Sequence, residues 1–403
     1  MAVIRPFRAV RPDPAVAPRV AAVPYDVVDT EEARALAGGN PLSFLHVSRA
    51  EIDLPADIDA HADVVYRSAA DRYRALKRDA LFVEEGTPSL YLYHLDADGH
   101  GQTGVAACYS LDEYDRNVIK KHERTRKDKE DDRTRHIVEL RAQTGPVFLA
   151  HRPNAQVAEL ARRIRSTDEP IVDFKALDGV RHAIWQVGAR FVPQFVEAFK
   201  AVDALYIADG HHRAASAARA RDAVRDSDEA NFFLAVAFPS DQLRILPYNR
   251  VVRDLNGMTP EHFLGAVARA FAMKSGPATP CEKGEVSIYV AGKWYTVYLE
   301  SAGLPGTSVI DSLDGNVLQE RLLKPLLDIQ DVRTDKRIDF VGGAKGVQTL
   351  EQLVDSGRMA VAFSMYPVSI VELMDVSDAG EIMPPKSTWF EPKLRDGLLI
   401  HEI

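Results

Sequence analysis

At 403 residues, with 46% hydrophobic and 27% charged side chains, the chain has the composition of a globular protein long enough for more than one core. A net charge of −9 tells against a general affinity for nucleic acid or anionic membrane, and its two cysteines, Cys108 and Cys281, supply neither a disulfide framework nor a thiolate metal site. The opening residues lack a signal-peptide core and no run reaches the length of a membrane span, so the expected location is the cytoplasm.

Pro12, Pro14, Pro18 and Pro24 set residues 1–30 on an extended path and argue against a helix there. The path closes in Pro24-Tyr25-Asp26-Val27, after which Asp29-Thr30-Glu31-Glu32 reads as a helix cap. Ile58, Ala62, Val65 and Tyr66 have the spacing of a helix over 57–78. Leu90, Leu92 and Leu95 alternate toward the turn Asp96-Ala97-Asp98-Gly99, and Val105 to Tyr109 return, which predicts a β-hairpin. Gly99-His100-Gly101-Gln102-Thr103-Gly104 matches the dinucleotide fingerprint, but a strand follows it where that motif requires a helix.

Residues 112–145 are densely charged, and the stretch from Asp128 reads as an exposed helix laced with ion pairs. Just before it, His122-Glu123-Arg124-Thr125 sets a carboxylate in a positive field, which would keep Glu123 ionised and usable as a base. The competing reading is a solvated face whose ion pairs contribute little. Arg126 stands where a zinc-protease motif needs its second histidine, which excludes that chemistry.

A strand at 147–150, a helix near 157–164 and a helix at 191–201 lead to the buried strand Ala204-Leu205-Tyr206-Ile207-Ala208. Ala214 to Ala223, rich in alanine and free of glycine and proline, reads as a helix. Between them stands Asp209-Gly210-His211-His212-Arg213. A strand-to-helix turn gathers free amides and the positive end of a helix dipole, so it suits an anion. Gly210 permits a sharp bend, Arg213 and the histidines can donate to phosphate oxygens, and Asp209 can hold Mg²⁺ or accept a proton. The alternative is a polar surface turn with a salt bridge.

Residues 231–238 form a strongly apolar strand, and a composition shift near Asp254-Leu255-Asn256-Gly257 predicts a boundary between domains 1–253 and 254–403. Beyond it lie a hairpin (286–290 with 294–299), a helix at 318–327, a strand at 360–363, and a helix opened by Tyr366-Pro367-Val368-Ser369 and stopped at Asp378-Ala379-Gly380. Asp311 and Asp314 read as helix caps rather than metal ligands. Pro385-Lys386-Ser387-Thr388 offers a lysine and hydroxyls to a phosphate, or is merely structural. No P-loop, protein-kinase motif or nucleophile elbow occurs.

Taken together, Pro24-Tyr25-Asp26-Val27, His122-Glu123-Arg124-Thr125, Ala208-Asp209-Gly210-His211-His212-Arg213-Ala214-Ala215 and Met383-Pro384-Pro385-Lys386-Ser387-Thr388 resemble the family known as domain of unknown function 1015. That family is similar to ParB-like free serine kinases. The resemblance implies phosphorylation of free L-serine to O-phosphoserine, with inorganic pyrophosphate as donor in part of the family. It implies a phosphate loop at Asp209, Gly210, His211, His212 and Arg213, and a base at Glu123.

The expectation is therefore a mixed α/β (α+β) protein, with a ParB/sulfiredoxin-like catalytic core over 1–253 and a second α/β subdomain over 254–403 that completes the site. Its expected activity is Mg²⁺-dependent phosphorylation of L-serine from pyrophosphate, ATP or ADP. Glu123 or Asp209 takes the hydroxyl proton, His211 and His212 stabilise the transferring oxygens, Gly210, His211, His212, Arg213 and Lys386 bind the donor, and Asp209 is the candidate metal ligand. The alternatives are a ParB-like nucleotide-binding regulatory module and a phosphatase acting on phosphoserine. Neither nucleic acid nor membrane is an expected partner, and a homodimer is left open.

Overall fold

The computed structural model describes residues 2–79, 82–299 and 308–403, and the chain is a mixed α/β protein of two compact units. The first comprises Met1–Leu243 with Pro392–Ile403, the second Arg244–Glu391. The boundary thus falls before the predicted 253/254. The reason is strand Tyr248–Val252, which pairs with Ile338–Gly342 and Val361–Met365, all in the second unit. The composition shift that suggested a boundary marks only the turn before helix Pro260–Ala270. At the other end, strand Ile400–Glu402 pairs with Ala9–Pro12 and Ala142–Gln143, so the last residues belong to the first unit.

The first unit is built on a mixed sheet in the order Ile119–Lys120, Leu205–Asp209, Val147–His151, Phe232–Pro239, His100–Ser110, Tyr91–Ala97, Arg181–Gln186 and Val172–Lys175. Ile4–Arg5 joins the side of His100–Ser110. The predicted hairpin is present, with Asp98 and Gly99 both at positive φ in its turn, as a tight two-residue connection requires. Helix His211–Ala223 packs on this sheet through Ala214, Ala217 and Ala220, whose small side chains join one core with Leu149, Ile207 and Phe233. A second core gathers the N-terminal segment and helix Asp63–Arg78, which begins later than the predicted 57.

Two sequence expectations are corrected. Residues 1–30 do contain a helical turn, Ala17–Val20, because Pro18 occupies its first turn, where a missing N–H costs nothing. The charged helix, Lys127–Leu140, is not wholly exposed: Asp132, His136, Ile137 and Leu140 are buried. The Asp29–Glu32 capping box forms as predicted and opens helix Thr30–Ala37.

The second unit holds an antiparallel sheet in the order Ala272–Ser275, Lys293–Tyr298, Glu285–Val290, Val361–Met365, Tyr248–Val252 and Ile338–Gly342. Apolar clusters centred on Phe263 and Leu322 and on Leu350 and Met359 make its cores. Helix Ile370–Asp378 opens on a capping box from Ser369 to Glu372. Among the described residues, no helix is long and apolar enough to cross a membrane.

Gly104 shows why the glycine-rich run is a strand. A Cβ there would lie 2.6 Å from Val236 Cγ1 and 3.0 Å from the Ala237 carbonyl oxygen on the neighbouring strand. Gly104→Ala is expected to lower unfolding free energy in denaturant titrations by about 1–3 kcal/mol through overpacking. An unchanged transition midpoint would contradict this packing.

Candidate functional site

Strand Leu205–Asp209 ends in a register shift between Ile207 and Asp209 against its antiparallel neighbour. Such a bulge re-aims the last side chain of a strand. Gly210 then adopts φ 92° and ψ 32°, a left-handed turn that feeds helix His211–Ala223 with no side-chain cap. The first-turn amides of His211, His212 and Arg213 are thus the orphan donors of a helix N-terminus. A Cβ at residue 210 would sit 2.9 Å from both Cζ and Nε of Arg213, so the turn also requires close approach of that guanidinium.

Arg213 lies beneath the loop and is buried. Its Nη1 donates to the Pro146 carbonyl, while Nη2 donates to Asp209 Oδ2 at 3.1 Å and stands 3.9 Å from Asp26 Oδ2. Burial opposes its charge, but Asp26, Asp209 and Asp396 outweigh burial and keep it protonated. Arg213 is therefore engaged by protein carboxylates, with Nε buried and lacking a hydrogen-bond partner.

Asp209 has a second cation, Lys393 Nζ, at 3.5 Å. Burial pushes the Asp209 carboxyl up, yet Lys393, Arg213 and His211 together hold it well below the usual carboxylate range. Such a carboxylate is a weak base, and one already bracketed by two cations does not suit a divalent ion. Among the described residues there is no group of three or more His, Cys, Asp or Glu that could hold a metal.

Both histidines are buried enough to favour the neutral ring. Burial, then His122, pushes His211 well below its ordinary value, and burial likewise lowers His212. His212 Nε2 accepts the Arg126 amide at 3.0 Å, which leaves Nδ1 as the protonated nitrogen. His211 Nε2 faces the His122 amide at 3.4 Å, and its Nδ1 lies 3.8 Å from Glu123 Oε2. The rings of His122 and His211 meet edge to face with centroids 4.4 Å apart. Burial pushes His122 down to about 4. Glu123 itself is 43% exposed, so it combines solvent access with a buried imidazole at its side.

The structure thus brings Glu123, Asp209, Gly210, His211, His212 and Arg213 into one neighbourhood of the first unit, with Asp26 beside them. Lys386 belongs to the second unit. Sequence reading missed Lys393 and Asp396, which return on the C-terminal segment. Asp396 is buried against Gly145, where a Cβ would lie 2.4 Å from its Oδ1, and it lines a small cavity with Tyr25, Arg133, His136, Thr144 and Arg213. Burial, opposed by Arg213 and Arg133 and reinforced by Asp26, pushes the Asp396 carboxyl up to about 7. The only local signal was the run Pro392-Lys393-Leu394-Arg395-Asp396-Gly397, in which charges recur within a few residues.

The family model described as protein of unknown function (DUF1015) matches residues 4–316. A search of curated proteins returned no significant relative. Among solved structures, the chain is similar to a free serine kinase in complex with AMP, at 14% identity and TM-score 0.34, covering 73% of this chain and 92% of that one. It is also similar to a conserved hypothetical protein from Pyrococcus furiosus, at 15% identity and TM-score 0.35, covering 74% and 95%. A third is SbnI with C-terminal truncation from Staphylococcus aureus, at 11% identity and TM-score 0.41, covering 73% and 87%.

Asp396 gives this site a pH signature. A carboxyl raised from 3.8 to about 7 keeps a proton in the fold across an interval where the unfolded chain has lost it. Stability present in full below the lower value is therefore lost as pH rises through the upper one. Asp396→Asn removes that loss, so its melting temperature relative to the parent is expected to climb between about pH 4 and about pH 7 and to level off above that. A difference independent of pH would contradict the burial of an ionisable group here.

Proposed function

The chain belongs to the DUF1015 family, and from its loop geometry and motifs we propose that it is a phosphotransferase acting on the hydroxyl of free L-serine. The observation that carries this reading is the uncapped helix N-terminus after Gly210, with His212 in its first turn carrying its proton on Nδ1 and the Glu123 carboxylate 3.8 Å from His211. Phosphoryl transfer asks for charge stabilisation and positioning rather than covalent catalysis, and a set of fixed amide donors supplies both.

In this reading the donor's terminal phosphate rests on the amides of His211, His212 and Arg213 and on His212 Nδ1–H. Arg213 adds positive charge from beneath the loop and holds Asp209 in place, and Lys393 shares that task. The serine hydroxyl attacks the terminal phosphorus as the bond to the donor's bridging oxygen breaks. Glu123 accepts the hydroxyl proton, and His211 orients it. Asp209, low in basicity and doubly paired, is a positioning residue rather than the base. Magnesium enters only as the counter-ion that a phosphate donor carries, and no step is assigned to it. A compact donor such as pyrophosphate needs nothing beyond this cradle, whereas ATP or ADP would need a surface for the base.

Incubating the full chain with L-serine, Mg²⁺ and separately pyrophosphate, ADP or ATP, and following O-phosphoserine by phosphorus NMR, tests the reading. Product is expected with at least one donor; none with any of them, from a folded protein, would contradict it. Glu123→Gln is expected to slow turnover by about 10²–10⁴-fold while donor affinity stays within a few fold. Equal turnover would return Glu123 to an exposed ion-pairing role.

A further inference from the structure

The second unit contains a buried arginine that its own surroundings do not neutralise. Arg250, on strand Tyr248–Val252, is 3% exposed, its Nε has no hydrogen-bond partner, and among the described residues no carboxylate pairs with it. Nη1 reaches only the thioether of Met365 at 3.5 Å, and the nearest ring face is Phe340, 5.9 Å from Cζ. Burial alone pushes this guanidinium down to about 10. An isolated buried charge is costly, and folded proteins normally pair it or bring it a ligand.

The guanidinium borders a cavity of about 30 Å³. Met365, which takes Nη1, lines that cavity, and so does Gly315, where a Cβ would come within 2.8 Å of Nη2. Both terminal nitrogens therefore lie against residues that line it. Lys386 lines it too: this exposed residue adopts φ 56°, a left-handed conformation rare for lysine, with Nζ 5.4 Å from the Tyr248 ring centroid. Lys283 and Glu372, also in the wall, satisfy each other in an ion pair. Asp314 Oδ2 accepts the Gly284 amide, and burial raises this carboxyl, which lessens the negative charge it presents. Asp314 Oδ1 is buried without a partner as well, but the uncompensated cation of the wall is the guanidinium.

We propose that this cavity is an anion site, in which Arg250 grips the carboxylate or phosphate group of a small molecule and Lys386 adds a second positive charge at the rim. The proposal is independent of the phosphotransfer reading, since it uses none of those residues.

Thermal-shift titrations of the full chain test it, with inorganic phosphate and pyrophosphate in one arm and acetate and L-serine in the other, each against sodium chloride of equal ionic strength. Saturable stabilisation is expected in at least one arm; the arm that responds identifies the group. Arg250→Met, which replaces an unneutralised charge by an apolar chain, should stay folded and weaken that binding by at least about tenfold. Lys386→Gln, on an exposed position, should weaken it about three- to tenfold. No response in either arm, or the same response in both variants, would overturn the site.

Discussion

At φ 92°, Gly210 carries the chain from strand Leu205–Asp209 into a helix within one residue, and the helix that follows has no side-chain cap. Everything proposed for the first unit depends on that constraint. A residue with a Cβ would collide with Arg213 and would have to adopt a conformation that L residues rarely hold. The turn therefore fixes two things together: the direction of the first helical amides and the position of a guanidinium beneath them. Ala214, Ala217 and Ala220 then let the helix settle onto the sheet, so the amides rest on a packed support rather than on a free loop.

Around that turn the first unit concentrates charge from distant parts of the chain. Asp26 comes from the proline-rich N-terminal segment, Asp209 from the end of a strand, and Lys393 and Asp396 from the C-terminal return. Lys393, Arg213 and His211 make Asp209 a poor base, whereas burial, against the pull of Arg213 and Arg133, leaves Asp396 a carboxyl poised near neutrality. Glu123 stands outside this set, more exposed and beside an imidazole that is kept neutral by burial. Division of labour follows from environment: the more buried carboxylates hold geometry, and the solvent-accessible one serves proton transfer.

Much of this was legible in the sequence because it is local. The strand, the glycine turn and the alanine-rich helix lie within twenty residues and carry their own signals in apolar run, propensity and backbone demand. The Asp98-Gly99 hairpin, the Asp29–Glu32 cap and the helix start at Ser369 were readable for the same reason. What sequence did not disclose is non-local. Lys393 and Asp396 reach the site only because Ile400–Glu402 adds to strands from the N-terminal part, and no short-range pattern announces such a pairing. The domain boundary was misjudged because a turn inside the second unit has the composition of a linker. Arg250 was passed over altogether: in a strand, an arginine reads as a solvent-facing residue until burial reveals it.

The most direct measurement is a ¹H–¹⁵N NMR titration of the chain, labelled at glycine and histidine, with pyrophosphate. The account predicts saturable shifts of the His211 and His212 amides at ligand concentrations that leave most other signals unmoved, because those amides would donate to the phosphate oxygens. If pyrophosphate binds while these resonances stay where they are, the helix N-terminus is not the phosphate cradle and the account is contradicted.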